Sequence, residues 1–254
     1  HKCPAGTFGA TTGLTNSTCS GTCQEGYYCP LASISATANK CFKEAGSISS
    51  LNHTISSVYC PLGSAAPLVV PAGYYSTDAS GSSDDHTTGK ETLRSAIVVC
   101  PKGWYCPGPG SGLKIRCPGG VYGATEGLSS SSCSAVCPSG FYCPAGTSNP
   151  YSQACTSDPK YYCPEGSARR QPTEEGFYAV SHIIPSTTNA AQLASIVSSG
   201  SGGYSASAVC PAGSYCLAGL KIPCPAGRYG STMQITNPQC TGACHEGWYC
   251  PSGS

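Results

Sequence analysis

Cys3-Pro4-Ala5-Gly6-Thr7-Phe8-Gly9 is the stretch that decides the fold, because it returns twice. It reappears as Cys117-Pro118-Gly119-Gly120-Val121-Tyr122-Gly123 and as Cys224-Pro225-Ala226-Gly227-Arg228-Tyr229-Gly230. The cysteines that follow keep their spacing each time. Cys3, Cys19, Cys23 and Cys29 are separated by 15, 3 and 5 residues; so are Cys117, Cys133, Cys137 and Cys143, and again Cys224, Cys240, Cys244 and Cys250. Self-similarity at this level marks a repeated supersecondary unit. The first unit continues through Cys41, Cys60, Cys100 and Cys106, the second through Cys155, Cys163, Cys210 and Cys216. The expected organisation is one cysteine-rich unit over 1–116, a second over 117–223 and a partial third over 224–254. The third stops after four cysteines, so the native polypeptide is expected to be longer, or the chain to repeat in an assembly.

Composition says why such a unit needs staples. Leu, Ile, Val and Phe supply only 35 of 254 residues, below the roughly 20% under which a highly charged chain would be disordered. The formal net charge is only +1, so charge repulsion does not hold this chain open. Against the missing aliphatics stand 20 Cys, 32 Gly, 21 Pro and 16 Tyr. Cysteine at this density marks a disulfide scaffold in an oxidising compartment, because cytosolic reductants keep thiols open. An extracellular or cell-surface location is therefore expected. No run of about 18 apolar residues is present to span a membrane, and Lys and Arg are scattered rather than blocked, which argues against nucleic acid. The sequence begins at His1 with neither Met nor a signal peptide, as expected of a processed product or a window on something longer.

Inside each unit a smaller pattern recurs. Cys-Pro-x-Gly-x-aromatic occurs at Cys3, Cys100, Cys117, Cys137, Cys210 and Cys224, with variants lacking the Pro at Cys23 and Cys244. Two more, Ala72-Gly73-Tyr74-Tyr75 and Glu175-Gly176-Phe177-Tyr178, lack the Cys. Pro with its preset φ suits the second position of a type I turn and Gly the fourth. A short strand then follows, its aromatic covering a disulfide. Helical composition is confined to Thr188–Ser198, ended by Gly200, Gly202 and Gly203. The corresponding Glu91–Val99 ends in Ile97-Val98-Val99 and reads as a strand. The expected fold is small and disulfide-rich: short β-hairpins and loops in an elongated tandem-repeat architecture, with at most one or two short helices.

These Cys-Pro-x-Gly-x-Tyr units resemble the ephrin-receptor-like and TNF-receptor-like cysteine-rich repeats of large extracellular proteins of protists. The resemblance covers nearly the whole chain outside two long inserts, roughly 77–96 and 180–207. It implies a receptor ectodomain, an adhesive stalk or extracellular structural material. Spacing alone leaves the disulfide connectivity open. A sequential arrangement joins Cys3–Cys19, Cys23–Cys29, Cys41–Cys60, Cys100–Cys106, Cys117–Cys133, Cys137–Cys143, Cys155–Cys163, Cys210–Cys216, Cys224–Cys240 and Cys244–Cys250. An interlaced one, as in some receptor modules, joins Cys23–Cys41 and Cys29–Cys60 instead. It leaves Cys244 and Cys250 without partners in a complete chain. Cys3–Cys19, Cys117–Cys133 and Cys224–Cys240 belong to both.

The remaining candidates are modest. Asn16-Ser17-Thr18 and Asn52-His53-Thr54 are N-glycosylation sequons. Ser/Thr-rich stretches at 47–57, 76–92, 129–132 and 198–207 could carry O-linked glycan. Zinc is disfavoured because the five His residues share no place in the repeat. Asp78, Asp84 and Asp85 read as a solvated loop rather than a calcium site, and Gly108–Gly112 as a linker. No nucleophile–base motif is present, so no enzyme, metal or cofactor is expected. Trp104 and Trp248 share one motif position, where each either covers a disulfide or makes a binding contact. The expected function is structural. A secreted, glycosylated protein would build a filament, surface hair, wall or sheath from copies of itself. The alternative is the ectodomain of a receptor or adhesin.

Overall fold

In the computed structural model the described residues are 1–41, 58–78, 81, 93–107, 112–155, 158–181 and 203–254. Among them the chain forms ten two-stranded antiparallel sheets and no helix. The Thr188–Ser198 segment lies outside the described residues. Seven of the sheets have only two residues per strand, too little for a hairpin to persist in water by itself. Something other than strand pairing must hold them.

That something is cystine. All twenty cysteines are bonded, each to the next in the chain: Cys3–Cys19, Cys23–Cys29, Cys41–Cys60, Cys100–Cys106 and Cys117–Cys133 in the first half. Cys137–Cys143, Cys155–Cys163, Cys210–Cys216, Cys224–Cys240 and Cys244–Cys250 complete the set. Their Cα atoms lie 5.7 to 6.1 Å apart, the ordinary separation for a disulfide. Among the described residues eighteen apolar ones are buried, of which fourteen are Cys; the others are Val70, Phe141, Ala179 and Ile235. The scarcity of aliphatics is met here by sulfur. At Cys137–Cys143 the rings of Phe141 and Tyr151 meet edge to face with centroids 5.2 Å apart. Burial, then the nearby Tyr122, pushes the Tyr151 phenol above its ordinary pKa, so it stays neutral at neutral pH.

The repeat is a repeat of backbone. Thr7–Phe8 pairs with Gly21–Thr22, Val121–Tyr122 with Ala135–Val136, and Arg228–Tyr229 with Gly242–Ala243, in one register. The second cysteine of each unit is left-handed: Cys19 at φ 53°, Cys133 at 52° and Cys240 at 52°. A polar side chain three residues earlier caps the turn that leads into it. Asn16 Oδ1, Ser130 Oγ and Asn237 Oδ1 accept the N–H of Thr18, Ser132 and Gln239 at 2.9, 3.3 and 3.0 Å. Both long inserts hang from equivalent four-residue hairpins. Tyr74–Thr77 pairs with Ala96–Val99, and Phe177–Val180 with Ala206–Val209. Ile97, Val98 and Val99 are thus strand residues.

The turn itself differs from expectation by one residue. The N–H of Thr7 donates to the carbonyl of Pro4 at 3.1 Å, which makes Pro4 the first turn position, not the second. Gly6 is then third, with φ +87°, the arrangement of a type II turn rather than type I. The same bond closes Pro101–Trp104, Pro138–Phe141, Pro211–Ser214 and Pro225–Arg228. Glycine is there for its left-handed backbone, which any side chain would strain.

A second turn class escaped the aromatic pattern. Cys-Pro-x-Gly-Ser/Thr at Cys60, Cys143, Cys163 and Cys250 forms the same turn. Its hydroxyl folds back: Ser64, Thr147, Ser167 and Ser254 donate to the carbonyls of Pro61, Pro144, Pro164 and Pro251 at 2.6 to 2.8 Å. One member breaks the rule. Pro30-Leu31-Ala32-Ser33 holds Ala32 at φ 66° where its relatives have Gly. A left-handed Ala costs roughly 1–2 kcal/mol, offset in part by the entropy that Gly adds to the unfolded chain. Ala32→Gly is therefore expected to stabilise the protein by up to about 1 kcal/mol, read as a raised denaturant midpoint. A lowered midpoint would show that Ala32 is not strained.

The chain divides into two compact units, one of residues 1–117 with 125–133, the other of 118–124 with 134–254.

Candidate functional site

What recurs with most fidelity is a joint between a small disulfide loop and a turn. A loop of seven residues runs from one cysteine of a short bond to the other, as in Cys23–Cys29 or Cys137–Cys143. The loop's first carbonyl and last N–H point at a turn from further along the chain. Gly63 donates to Cys23 O at 2.8 Å while Cys29 donates to Ser64 O at 2.9 Å. In the second unit Gly166 donates to Cys137 O at 2.8 Å and Cys143 to Ser167 O at 2.9 Å. The loops Cys100–Cys106 and Cys210–Cys216 are capped in the same way by a different turn. Gly127 and Gln234 donate to Cys100 O and Cys210 O at 2.8 and 2.9 Å. Cys106 and Cys216 each donate at 2.8 Å to Leu128 O and Ile235 O. Because both partners are peptide groups, the joint accepts turns of different sequence.

Covering matters for the sulfur beneath. Cys23, Cys29, Cys137, Cys143, Cys100 and Cys210 are fully buried under their capping turns. Trp104 lies half-buried on its loop, with the Arg116 guanidinium 5.3 Å and the Lys114 ammonium 5.5 Å from its ring, within cation–π range.

Among the described residues one loop has no cap. At Cys244–Cys250 neither the Cys244 carbonyl nor the Cys250 N–H has a backbone partner among the described residues, and Gly247 has none at either group. Both cysteines are partly exposed, Trp248 is 80% exposed and Tyr249 90%. Trp104 and Trp248 therefore differ although they share a motif position. The His245 ring lies tilted against Tyr229, with 5.5 Å between centroids and 33° between the planes.

The other sequence candidates fall as follows. Asn16 is exposed on its turn, and its Oδ1 accepts both the N–H and the hydroxyl of Thr18, the hydroxyl residue of its own sequon. Asn52 lies outside the described residues, as do Asp84, Asp85 and 108–111 of the glycine-rich linker. Among the described residues no cluster of three or more His, Cys, Asp or Glu could hold a metal, and no helix is long and apolar enough to cross a membrane. Sequence reading missed Arg94, which is 2% exposed and donates from Nη1 to Ser76 O at 3.1 Å. A lone Arg ahead of a strand gives no signal of burial. No family model matches the chain, and comparison with curated proteins finds no match.

Proposed function

We propose that this is an extracellular structural protein of the ephrin-receptor-like or TNF-receptor-like cysteine-rich kind, glycosylated and assembled from copies of itself into a filament, surface hair, wall or sheath. The observation that supports this reading most is the loop-and-turn joint, made several times over with the same backbone bonds. Such a joint is a means of adding units end on, and stacking neighbours is how repeat proteins gain stability. A core of cystines suits an oxidising compartment, where the bonds persist. Exposure of Asn16 suits an N-linked glycan there.

A binding module, receptor or adhesin, is the second reading. It is favoured by Trp248 and Tyr249, two exposed aromatics of the kind that anchor interfaces. Electron microscopy of the purified, oxidised protein separates the two. Ordered polymers are expected; dispersed single molecules under every native condition would reject the structural reading. Loss of mass from the Asn16 peptide on enzymatic deglycosylation of the same sample is expected as well.

A further inference from the structure

Folding gathers cations that the sequence scatters. Between Leu93 and Cys117 stand Arg94, Lys102, Lys114 and Arg116 and not one Asp or Glu, in a chain whose formal net charge is only +1. Arg94 is buried, Lys102 and Arg116 are exposed and Lys114 is half-buried. Trp104–Tyr105 pairs with Ile115–Arg116, and Arg116 stands opposite Trp104. Side chains alternate along an extended chain, so Lys114, two residues back, comes to the same face. The Arg116 guanidinium lies 5.3 Å from the Trp104 ring. The Lys114 ammonium lies 5.5 Å from that ring and 4.9 Å from the ring of Tyr75. The result is an unbroken run of ring and cation: Tyr75, Lys114, Trp104, Arg116.

The second unit separates what the repeat carries from what is added. Lys221 lies over Tyr178 at 5.1 Å, and these two hold the repeat positions of Lys114 and Tyr75. Trp104 and Arg116 have no such counterparts: Ser214 and Pro223 stand, paired, at their places. The Lys–Tyr contact thus belongs to the repeat, and the Trp104–Arg116 end is particular to the first unit. Its chemistry is unfinished. A ring attracts a cation but takes up none of its N–H groups as a carboxylate would. Among the described residues no hydrogen bond or ion pair to Lys114 or Arg116 accompanies the ring contacts. The donors of both are left for solvent or a ligand.

We propose that this face of the first unit binds a carboxylate-bearing polysaccharide. The planar fork of Arg116 matches a carboxylate with two parallel bonds, and Lys114 and Lys102 supply point charges for its neighbours. The exposed parts of Trp104 and Tyr75 offer apolar surface for the C–H face of a sugar ring. The rings also hold both cations in place, so little side-chain freedom is lost when the anion arrives. A polymer fits this run better than a single ion, because repeated carboxylates engage several cations at once. The partner's class rests on the extracellular reading, where a polyanion is a polysaccharide rather than a nucleic acid. Self-assembly is not needed for it.

Calorimetric titration of the intact, oxidised chain with polygalacturonate tests this. The wild type is expected to bind, to lose the polymer as salt is raised, and to ignore neutral dextran. Arg116→Gln is expected to weaken binding about tenfold; Arg116→Lys, which keeps the charge and loses the fork, is expected to weaken it less. Arg228→Gln is the control for net charge. Arg228 is an exposed cation that donates to the Gln239 carbonyl at 2.8 Å instead of lying on a ring, and its loss is expected to leave binding unchanged. No binding by the wild type, or equal losses with Arg116→Gln and Arg228→Gln, would overturn the proposal. Tighter binding of dextran sulfate or of single-stranded DNA at equal charge would overturn it as well, by making the anion a sulfate or a nucleic acid. Electron micrographs of the same sample judge the structural reading separately: ordered polymers in a chain that binds no polygalacturonate would leave that reading standing and reject only this one.

Discussion

Reduction with a thiol reagent is expected to unfold the whole protein, with loss of near-ultraviolet circular dichroism and rapid proteolysis throughout. Among the described residues fourteen of the eighteen buried apolar ones are cysteines, so the cystines are both the cross-links and the core. Each disulfide contributes about 2–4 kcal/mol by restricting the unfolded chain. Domain stabilities are only about 5–15 kcal/mol, so ten such bonds outweigh what remains. Among the described residues the remainder is small: hairpins of two to four residues per strand and four buried apolar side chains that are not Cys. A single deletion grades the effect. Replacing Cys117 and Cys133, which close a segment with a sequence separation of 16, is expected to cost about 3 kcal/mol in loop-closure entropy. A reduced protein that keeps its protease resistance would mean that packing, not cystine, holds the fold.

The second large effect is expected from one methyl group. Gly120 and Gly166 lie in turns that stack directly, and a Cβ on Gly120 would sit 2.5 Å from the Gly166 carbonyl oxygen. Real Cβ atoms do not approach that closely, and here the obstacle is backbone. Gly120 is also left-handed, at φ +92°. Gly120→Ala therefore combines left-handed strain of roughly 1–2 kcal/mol with an overpacking cost of about 1–3 kcal/mol. Gly227→Ala is the control. Gly227 occupies the same turn position in the third unit, at φ +81°, with nothing within 4 Å of its Cβ. Its change is expected to cost the strain alone. Denaturant midpoints of the two variants compare the two costs. Equal losses would show that the stacking of turns adds nothing to stability.

How far the sequence speaks can be judged at particular residues. Cys3 and its counterparts announced the repeat, and Ile97-Val98-Val99 announced a strand. Pro4 and Gly6 announced a turn but not its register: proline presets the second position of a turn yet stands at the first here, and the closing bond runs between backbone atoms. The Cys-Pro-x-Gly-Ser/Thr turns passed unseen beside the aromatic ones, although Ser64 and Ser167 carried the signal in their hydroxyls. Arg94 gave none.

The candidate joint was not legible at all. Trp104 and Trp248 have one motif and one spacing, yet one is half-buried and the other open. The difference lies in whether a turn from elsewhere in the chain reaches the loop. Its bonds are peptide to peptide, and every residue but proline offers the same two groups.

By itself the sequence determined the unit, its spacing, its cystine core and its Pro-Gly turns, because these depend on side chains that recur at fixed intervals. Tertiary structure decided which of two cysteine pairings is made, which backbones are forced left-handed at Cys19, Cys133 and Cys240, and which turn caps which loop. Those depend on backbone groups meeting across long stretches of chain, and a peptide group carries no residue-specific mark.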